Sequence, residues 1–296
     1  MSPPKHSQHL AAVLDGVGEF VRRYVVLRPA QADITALWAA HTHALDAFET
    51  TPFLGVTSPE KRCGKSRLFD VLELIVARPW RQITPSEAVL YRKIESSQPT
   101  LLLDEADAIF DIRASSTEPL RALLNAGNRR GTFVARCVGP QQTVVDFGIF
   151  CAKALAGIGD YMPATVLDRA IVVQLQRKRK DERAERFRRR EAEALAGPIA
   201  VDLASWAEAA IPDLQAARPP MPDALDDRAE EAWEPLFAIA HLAGDPWPDR
   251  VLRAALELGS DRAAQDDALG PLLLADVRSV FEEKGADRLS SVDLEP

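Results

Sequence analysis

The chain has few cysteines, no long apolar run and no excess of positive charge. Only Cys63, Cys137 and Cys151 are present in 296 residues, and their spacing matches neither a metal site nor a disulfide framework. No apolar run approaches the ~18 residues that a membrane span needs, and no basic segment followed by an apolar stretch opens the chain. We therefore expect a cytoplasmic protein with no membrane partner.

The charge balance excludes a general electrostatic attraction to nucleic acid. The formal net charge is -8 and the sequence pI is about 5.3, so any contact with phosphates must be local. Residues 177–190 are the clearest local basic segment, with nine basic and three acidic residues. Such a run either contacts phosphates or forms a solvated helix with acid–base pairs at i, i+4, and we favour the helix.

Residues 58–66 have the pattern of a phosphate-binding loop that lacks its usual first glycine. In the common form, G-x-x-x-x-G-K-[ST], backbone N–H groups surround the phosphates, the lysine contacts the terminal ones and the hydroxyl holds magnesium. Pro59 occupies the first glycine's place. The candidate nucleotide-binding residues are Pro59, Glu60, Lys61, Arg62, Cys63, Gly64, Lys65 and Ser66, of which Lys65 would also assist catalysis and Ser66 would bind the metal.

The segments that flank this loop have the structure that the motif requires. Residues 53–57 are short, apolar and partly β-branched, which is typical of a buried parallel strand, and residues 65–77 have helical apolar spacing. A helix N-terminus would then point at the bound anion. The alternative is a chance Gly-Lys-Ser, which the flanking strand and helix disfavour.

A second motif supplies the acidic groups for phosphate chemistry. Residues 100–103 are Thr-Leu-Leu-Leu and lead into Asp104 and Glu105, which predicts a buried strand with two carboxylates at its C-terminal end. Asp104 would hold Mg²⁺, and Glu105 would orient and polarise the attacking water. Asp107 completes the letters D-E-A-D, which is weak evidence for an RNA helicase. The alternative is an acidic surface turn.

The order of predicted elements indicates an α/β fold with two or more parts. Helices are expected over residues 10–24, from Asp33 to about Phe48, from Thr84 to about Ser96 and over 117–125, and a hairpin and a strand over 132–147 and 150–158. Beyond about Lys180 only helices are predicted, over 199–216, 226–242, 248–258 and 271–284. We expect a helical segment at 1–50, a P-loop core at 51–180 and an all-helical lid at 181–296.

Several segments together resemble the domain-of-unknown-function 3631 family, found mainly in actinobacteria and their phages and plasmids. They are residues 58–66, 101–107, 125–131, 154–159, 167–169, 226–236 and 247–248. The resemblance extends from about Leu37 to Leu294. The family name carries no activity, so it implies a fold more than a function.

The wider similarity is to AAA+ ATPases, which share active sites between neighbouring subunits of a ring. It implies an AAA+-like parallel sheet, ATP and Mg²⁺ as cofactors, and a self-assembled ring such as a hexamer. Residues 162–171 resemble the segment that carries the arginine finger of the minichromosome maintenance helicases, which assigns that role to Arg169. Arg228 resembles the lid arginine that contacts bound nucleotide. Each arginine could instead form a structural salt bridge, Arg169 with Asp168 or another surface acid and Arg228 with Glu231 or Asp227.

The resemblance also exposes one departure and one possible DNA contact. The strand at 150–158 should end in a polar residue that positions the attacking water, but it ends in Ala-Gly-Ile-Gly, so Asp160 or Lys153 would have to substitute. The hairpin lies where the minichromosome maintenance helicases contact DNA, and Arg129, Arg130 and Arg136 would bind phosphates there. It could equally be an ordinary extension of the sheet.

Three alternative functions are therefore considered for this chain. The first is a ring ATPase that acts on DNA as a helicase, translocase or loader of a mobile element. The second is an ATP-dependent remodeller or switch with a protein client, which suits the acidic composition better. The third is a nucleotide-binding module without turnover, which the missing polar residue suggests.

Overall fold

The computed structural model describes residues 5–110 and 118–261. The chain divides into two units, residues 1–254 and residues 255–296. The fold described below is that of the first unit. Of the second, the described residues 255–261 are helical, and the predicted helix over 271–284 lies outside the described residues.

A five-stranded parallel sheet forms the centre of the first unit. The strand order is β2-β3-β6-β1-β7, and the strands are β1 Phe53–Thr57, β2 Pro79–Gln82, β3 Thr100–Leu103, β6 Lys153–Ala156 and β7 Ala170–Gln174. Every residue of β1, β3 and β6 is buried, as expected for parallel strands covered on both faces. The prediction of a parallel α/β sheet with flanking helices is confirmed.

Helices surround this sheet, and two further strands form a separate hairpin that is not an extension of it. The helices are α1 Lys5–Tyr24, α2 Pro29–His43, α3 Lys65–Ile75, α4 Glu87–Ser97, α5 Ala106–Phe110, α6 Glu118–Ala126, α7 Ala164–Leu167, α8 Arg189–Ala216 and α9 Asp227–Ala243. The hairpin pairs β4 Phe133–Val138 with β5 Thr143–Gly148. Residues 247–254 are also helical. The hairpin and the later helices agree with the sequence patterns to within a few residues at most boundaries.

The first two helices of the chain pack against α8 and α9. α1 contacts α2, α3, α8 and α9, and α2 contacts α8 and α9. Almost all of α2 is buried, because it lies between other helices. The expected division at residues 50 and 180 stays a prediction. Helices from the first and last of the three expected parts share one packed layer.

Four predicted helix starts differ from the structure by more than one residue. α1 and α8 begin five and ten residues earlier than predicted, and α2 and α4 begin at other residues than expected. Asp33 lies inside α2, which begins at Pro29, the favoured residue of a first helical turn. The Asp33 carboxylate binds the Arg250 guanidinium instead, with Nε to Oδ2 at 3.0 Å. Likewise α4 begins after Ser86, whose hydroxyl accepts a hydrogen bond from the Val89 amide.

The basic segment after β7 has no helix before Arg189, so the prediction of a solvated helix over 177–190 is wrong for most of its length. The Glu185 amide donates to the Arg23 carbonyl at 2.7 Å. The Phe187 ring packs edge-on against Tyr24 at 5.2 Å and lies beneath the Arg67 guanidinium at 4.5 Å. These contacts with α1 and α3 replace the intrahelical bonds that local sequence favours. We call residues 175–188 the strap.

Helix α8 is long and apolar enough to cross a membrane by those two measures alone. This is weak evidence, because core helices of soluble proteins meet the same test. Pro198 and Pro212 lie within the helix, and its buried residues include Leu203 and Trp206. The helix packs against α1 and α3. A cytoplasmic location stays a prediction.

His41 is a fully buried titratable group in α2. Its Nε2 lies 2.9 Å from the Thr51 hydroxyl, and its Nδ1 has no hydrogen-bond partner. Burial lowers the pKa of His41 from 6.5 to about 3, because the charged ring would be desolvated. The ring is therefore neutral in the folded protein across the physiological range.

We expect this histidine to destabilise the protein in mild acid. The folded pKa lies below the unfolded one, so the unfolded state gains a proton first and the stability present above pH 6.5 is lost as pH falls towards 3. Between pH 7 and 5 the loss from His41 should be about 2 kcal/mol. His41→Gln should lose that much less in urea unfolding over the same interval, with exposed His9→Gln as the control. An unchanged pH dependence in His41→Gln would contradict this assignment.

Candidate functional site

The loop of residues 58–66 connects the C-terminal end of β1 to the N-terminus of α3. Arg62 and Gly64 have φ of 69° and 99°, in the left-handed region, and Gly64 is the residue before the first turn of α3. Pro59 is not among the described positions with positive φ. The absent first glycine is thus tolerated, since the left-handed turns of this loop lie further along.

Internal hydrogen bonds hold the loop's lysine. The Lys65 ammonium donates to the Ser58 hydroxyl, and that hydroxyl donates to the Glu60 carbonyl at 2.7 Å. Ser58 is buried, and its carbonyl accepts a bond from the Gly159 amide after β6. The ammonium group is therefore positioned within the loop and next to the end of β6.

The carboxylates after β3 have different environments. Asp104 accepts a hydrogen bond at Oδ2 from Arg81 of β2 at 2.6 Å, and Arg81 also binds Asp70 of α3 at 2.6 Å. Glu105 is exposed and has φ of 58°, a conformation that costs about 1–2 kcal/mol for an L-residue. Arg81 thus fixes the Asp104 carboxylate, while Glu105 lies beyond the end of β3 and is open to solvent.

A cleft of about 680 Å³ brings the loop and these carboxylates together. We call it the loop cleft. Its walls are residues 61–67, Asp104, Glu105, Asp107, Ala108 and residues 156–158. It lies across the end of β6, the strand between β1 and β3. Pro59 and Glu60 do not line it, and Glu60 lies 3.9 Å from Arg177 of the strap.

The end of β6 contributes no polar side chain to the loop cleft. A Cβ at Gly157 would lie 2.6 Å from the Tyr161 ring and 2.9 Å from the Asp107 carboxylate. Lys153 is at the other end of β6, fully buried, with its ammonium bonded to the Gly127 carbonyl at 2.6 Å and the Cys151 carbonyl at 3.1 Å. Burial lowers the pKa of Lys153. It therefore cannot serve as the expected substitute, and Asp160 does not line the cleft either.

The predicted arginines line a second cleft of about 570 Å³, which we call the arginine cleft. Arg169 donates to the Asn125 side chain at 3.0 Å and to the Thr165 carbonyl. Arg228 donates to the Asp168 carboxylate, a partner that its own helix does not supply. Neither Arg169 nor Arg228 lines the loop cleft.

The hairpin arginines are engaged within the protein. Arg129 binds the Glu231 carboxylate at 2.8 Å, and Arg136 binds Glu87 of α4. Arg130 donates to the Leu45 and Phe48 carbonyls at 3.0 and 3.1 Å and stacks on the Phe150 ring. A phosphate would have to compete with each of these contacts.

Sequence patterns did not reveal three residues near the loop cleft. Arg81 lies on an edge strand that had no apolar signal, Tyr161 follows β6 in a loop, and Asp107 was noted only for the letters it completes. Their roles depend on contacts between distant segments. A small residue at 157 was the one local signal, since glycine there indicates that other groups occupy its side-chain space.

Comparison with known proteins gives a relationship without an activity. A family model described as "Protein of unknown function (DUF3631)" matches residues 174–295, which include the strap, α8 and α9 but neither the loop nor Asp104 and Glu105. An "Uncharacterized 28.9 kDa protein in xis 5'region" of Saccharopolyspora erythraea is 44% identical over 84 residues, which are 28% of this chain and 31% of that protein. The chain thus spans less than a third of this relative. The resemblance to that family is confirmed for residues 174–295.

Packing at the end of β6 predicts that Gly157 tolerates no side chain. Gly157→Ala should lower the free energy of unfolding by about 1–3 kcal/mol, because the new methyl group overlaps the Tyr161 ring and the Asp107 carboxylate. Gly16→Ala is the matched control. A Cβ at residue 16 in α1 meets nothing within 4 Å, so it should stabilise by about 0.5–1 kcal/mol. Chemical denaturation measures both, and equal stability of Gly157→Ala and wild type would contradict the overlap.

Proposed function

We propose that this chain is an AAA+-like P-loop ATPase that binds ATP with Mg²⁺ and hydrolyses it. One observation carries the proposal. The loop that ends in Lys65 and Ser66 and the carboxylates Asp104 and Glu105 line one cleft outside the C-terminal ends of parallel strands. That edge is where open α/β sheets bind their ligands.

The residues of the loop cleft suit a magnesium–triphosphate group. The N-terminus of α3 and the Lys65 ammonium would attract the phosphates. Mg²⁺ prefers oxygen ligands, keeps several waters and is commonly held by one or two protein groups together with the phosphates. The Ser66 hydroxyl and the Asp104 carboxylate fit that donor set, and Arg81 would hold Asp104 in place.

Glu105 would act on the attacking water. Glu105 is exposed and lines the cleft. Asp104, by contrast, is held in an ion pair by Arg81. In the step, the water oxygen forms a bond to the γ-phosphorus and the bond from that phosphorus to the β,γ-bridging oxygen breaks. ADP leaves with the bond's electron pair, and Glu105 accepts the water proton.

The position of Arg169 supports an assembly. Hydrolysis gains from an arginine that neutralises charge on the γ-phosphate oxygens, yet Arg169 lines the arginine cleft and not the loop cleft. A ring of copies, such as a hexamer, would place Arg169 against the nucleotide of a neighbouring subunit. Arg228 lies in the same cleft, so we propose that it too faces the neighbour's nucleotide rather than its own.

The proposed ATPase could act on either of two classes of client, DNA or another protein. A DNA client was expected from the hairpin, but Arg129, Arg130 and Arg136 are all bonded within the protein. A protein client is favoured by the outer face of the hairpin, where Phe133 and Val144 are 62% and 65% exposed. Turnover that DNA stimulates in a salt-sensitive way would favour DNA, and turnover indifferent to DNA would favour the protein client.

Two substitutions in the loop cleft should separate binding from chemistry. Lys65→Ala should weaken ATP binding by at least about tenfold, because it removes the charge that contacts the terminal phosphates. Glu105→Gln should keep the affinity and lower turnover by about 10²–10⁴-fold. Calorimetry and phosphate release measure the two effects. Wild-type protein that binds ATP without turnover would instead support the nucleotide-binding module, and wild type that binds no ATP would refute the proposal.

Mixing variants tests the shared site. Arg169→Ala should bind ATP but lose turnover by about 10³-fold or more. A mixture of Arg169→Ala and Glu105→Gln should regain activity, because some neighbouring pairs then combine an intact Glu105 with an intact Arg169. Each variant alone is the control. A mixture no more active than its components would contradict the assembly.

A further inference from the structure

We infer that Asp107 supplies the polar group that the end of β6 lacks, and that its carboxylate accepts a hydrogen bond from the attacking water beside Glu105. The inference rests on the proposed ATPase function. It gives Asp107 a role in water attack that the resemblance assigned to a residue at the end of β6.

The space next to Gly157 is the first observation. An ideal Cβ there would lie 2.9 Å from Asp107 Oδ1, so the carboxylate of α5 occupies the place of a side chain at residue 157. Asp107 also lines the loop cleft together with Glu105 and Lys65. A polar atom thus lies at the end of β6, although β6 itself does not provide it.

Tyr161 leaves no space for a side chain at residue 157, directly after β6. Its ring lies 2.6 Å from the same Cβ position, and its hydroxyl donates to the Leu155 carbonyl at 2.7 Å. Burial, with the nearby Asp107 and Asp104 carboxylates, raises the pKa of Tyr161 well above its ordinary value, so the phenol stays protonated. Because the backbone takes its one proton, Tyr161 does not donate to Asp107, whose oxygens can accept from the cleft.

The turn before α5 brings Asp107 to this position. Glu105 has a left-handed φ of 58°, and α5 begins at the next residue, Ala106. The chain therefore turns sharply at the strand end, and both carboxylates line the same cleft.

The chemical role follows from the two acceptors. In the hydrolysis step described above, water has two protons to direct while its oxygen attacks the γ-phosphorus. Glu105 accepts the proton that is transferred, and Asp107 accepts a hydrogen bond from the other, which fixes the direction of the oxygen lone pair. An amide oxygen accepts the same bond, so asparagine should replace Asp107 in this role.

The test compares Asp107→Ala with Asp107→Asn. Alanine should lower kcat for ATP by at least about tenfold with KM nearly unchanged, as expected when an attacking group is misaligned. Asparagine should retain kcat to within about threefold, since the acceptor remains. A second readout is binding instead of turnover. Asp107→Ala should weaken binding of ADP–aluminium fluoride, a transition-state analogue, by at least about tenfold more than it weakens binding of ADP.

The matched control is Asp146→Ala, which removes an exposed acid of the hairpin and should leave all these values unchanged. If Asp107→Ala fails to bind ADP, Asp107→Leu, which places methyl groups where the carboxylate oxygens were and offers no acceptor, takes its place. Alanine with wild-type kcat, or asparagine as impaired as alanine, would overturn the inference alone. Wild type without turnover would refute the proposed hydrolysis and this role with it.

Discussion

The parallel pairing of β1, β6 and β3 is the constraint on which the candidate site depends. Parallel strands end at the same edge, so the loop after β1 and the carboxylates after β3 meet there although they are distant in sequence. Backbone hydrogen bonds fix the register, with Leu54 opposite Ala154 and Leu102 also opposite Ala154. A one-residue slip would turn each buried side chain to the opposite face. The sheet thus sets the position of the loop cleft, and the loop after β1 forms one of its walls.

Sequence reasoning found the centre of this sheet and missed its edges. β1 was predicted to the residue, and β3 and β6 were found as apolar runs, because burial on both faces leaves a continuous apolar signal. β2 and β7 are the outermost strands, only partly buried, and β2 even begins with Pro79. Their strand conformation comes from pairing with a neighbour, which no local window records. The strap shows the same limit, since its basic residues favour a helix but Phe187 packs against other helices.

The candidate site divides in the same way. Lys65, Ser66, Asp104 and Glu105 were found because the chemistry of phosphate binding fixes short local spacings. The contacts that hold and complete them join segments far apart, such as Arg81 to Asp104 and Tyr161 to the space beside Gly157. The separation of Arg169 and Arg228 from the loop cleft likewise follows from three-dimensional placement. Local patterns therefore identify which groups take part, and the fold decides which of them meet.

The shared layer of α1, α2, α8 and α9 has a consequence for biosynthesis. α1 and α2 leave the ribosome before any strand of the sheet, but their partners α8 and α9 follow the last strand. The apolar faces of α1 and α2 must stay uncovered, or be covered by a chaperone, while the sheet is translated. Within the sheet, β2 can pair with β3 as soon as both are made, whereas β1 has to wait for β6 and β7. The helical layer forms later still, after α8 and α9, so the nascent chain is most prone to aggregation before α8 emerges.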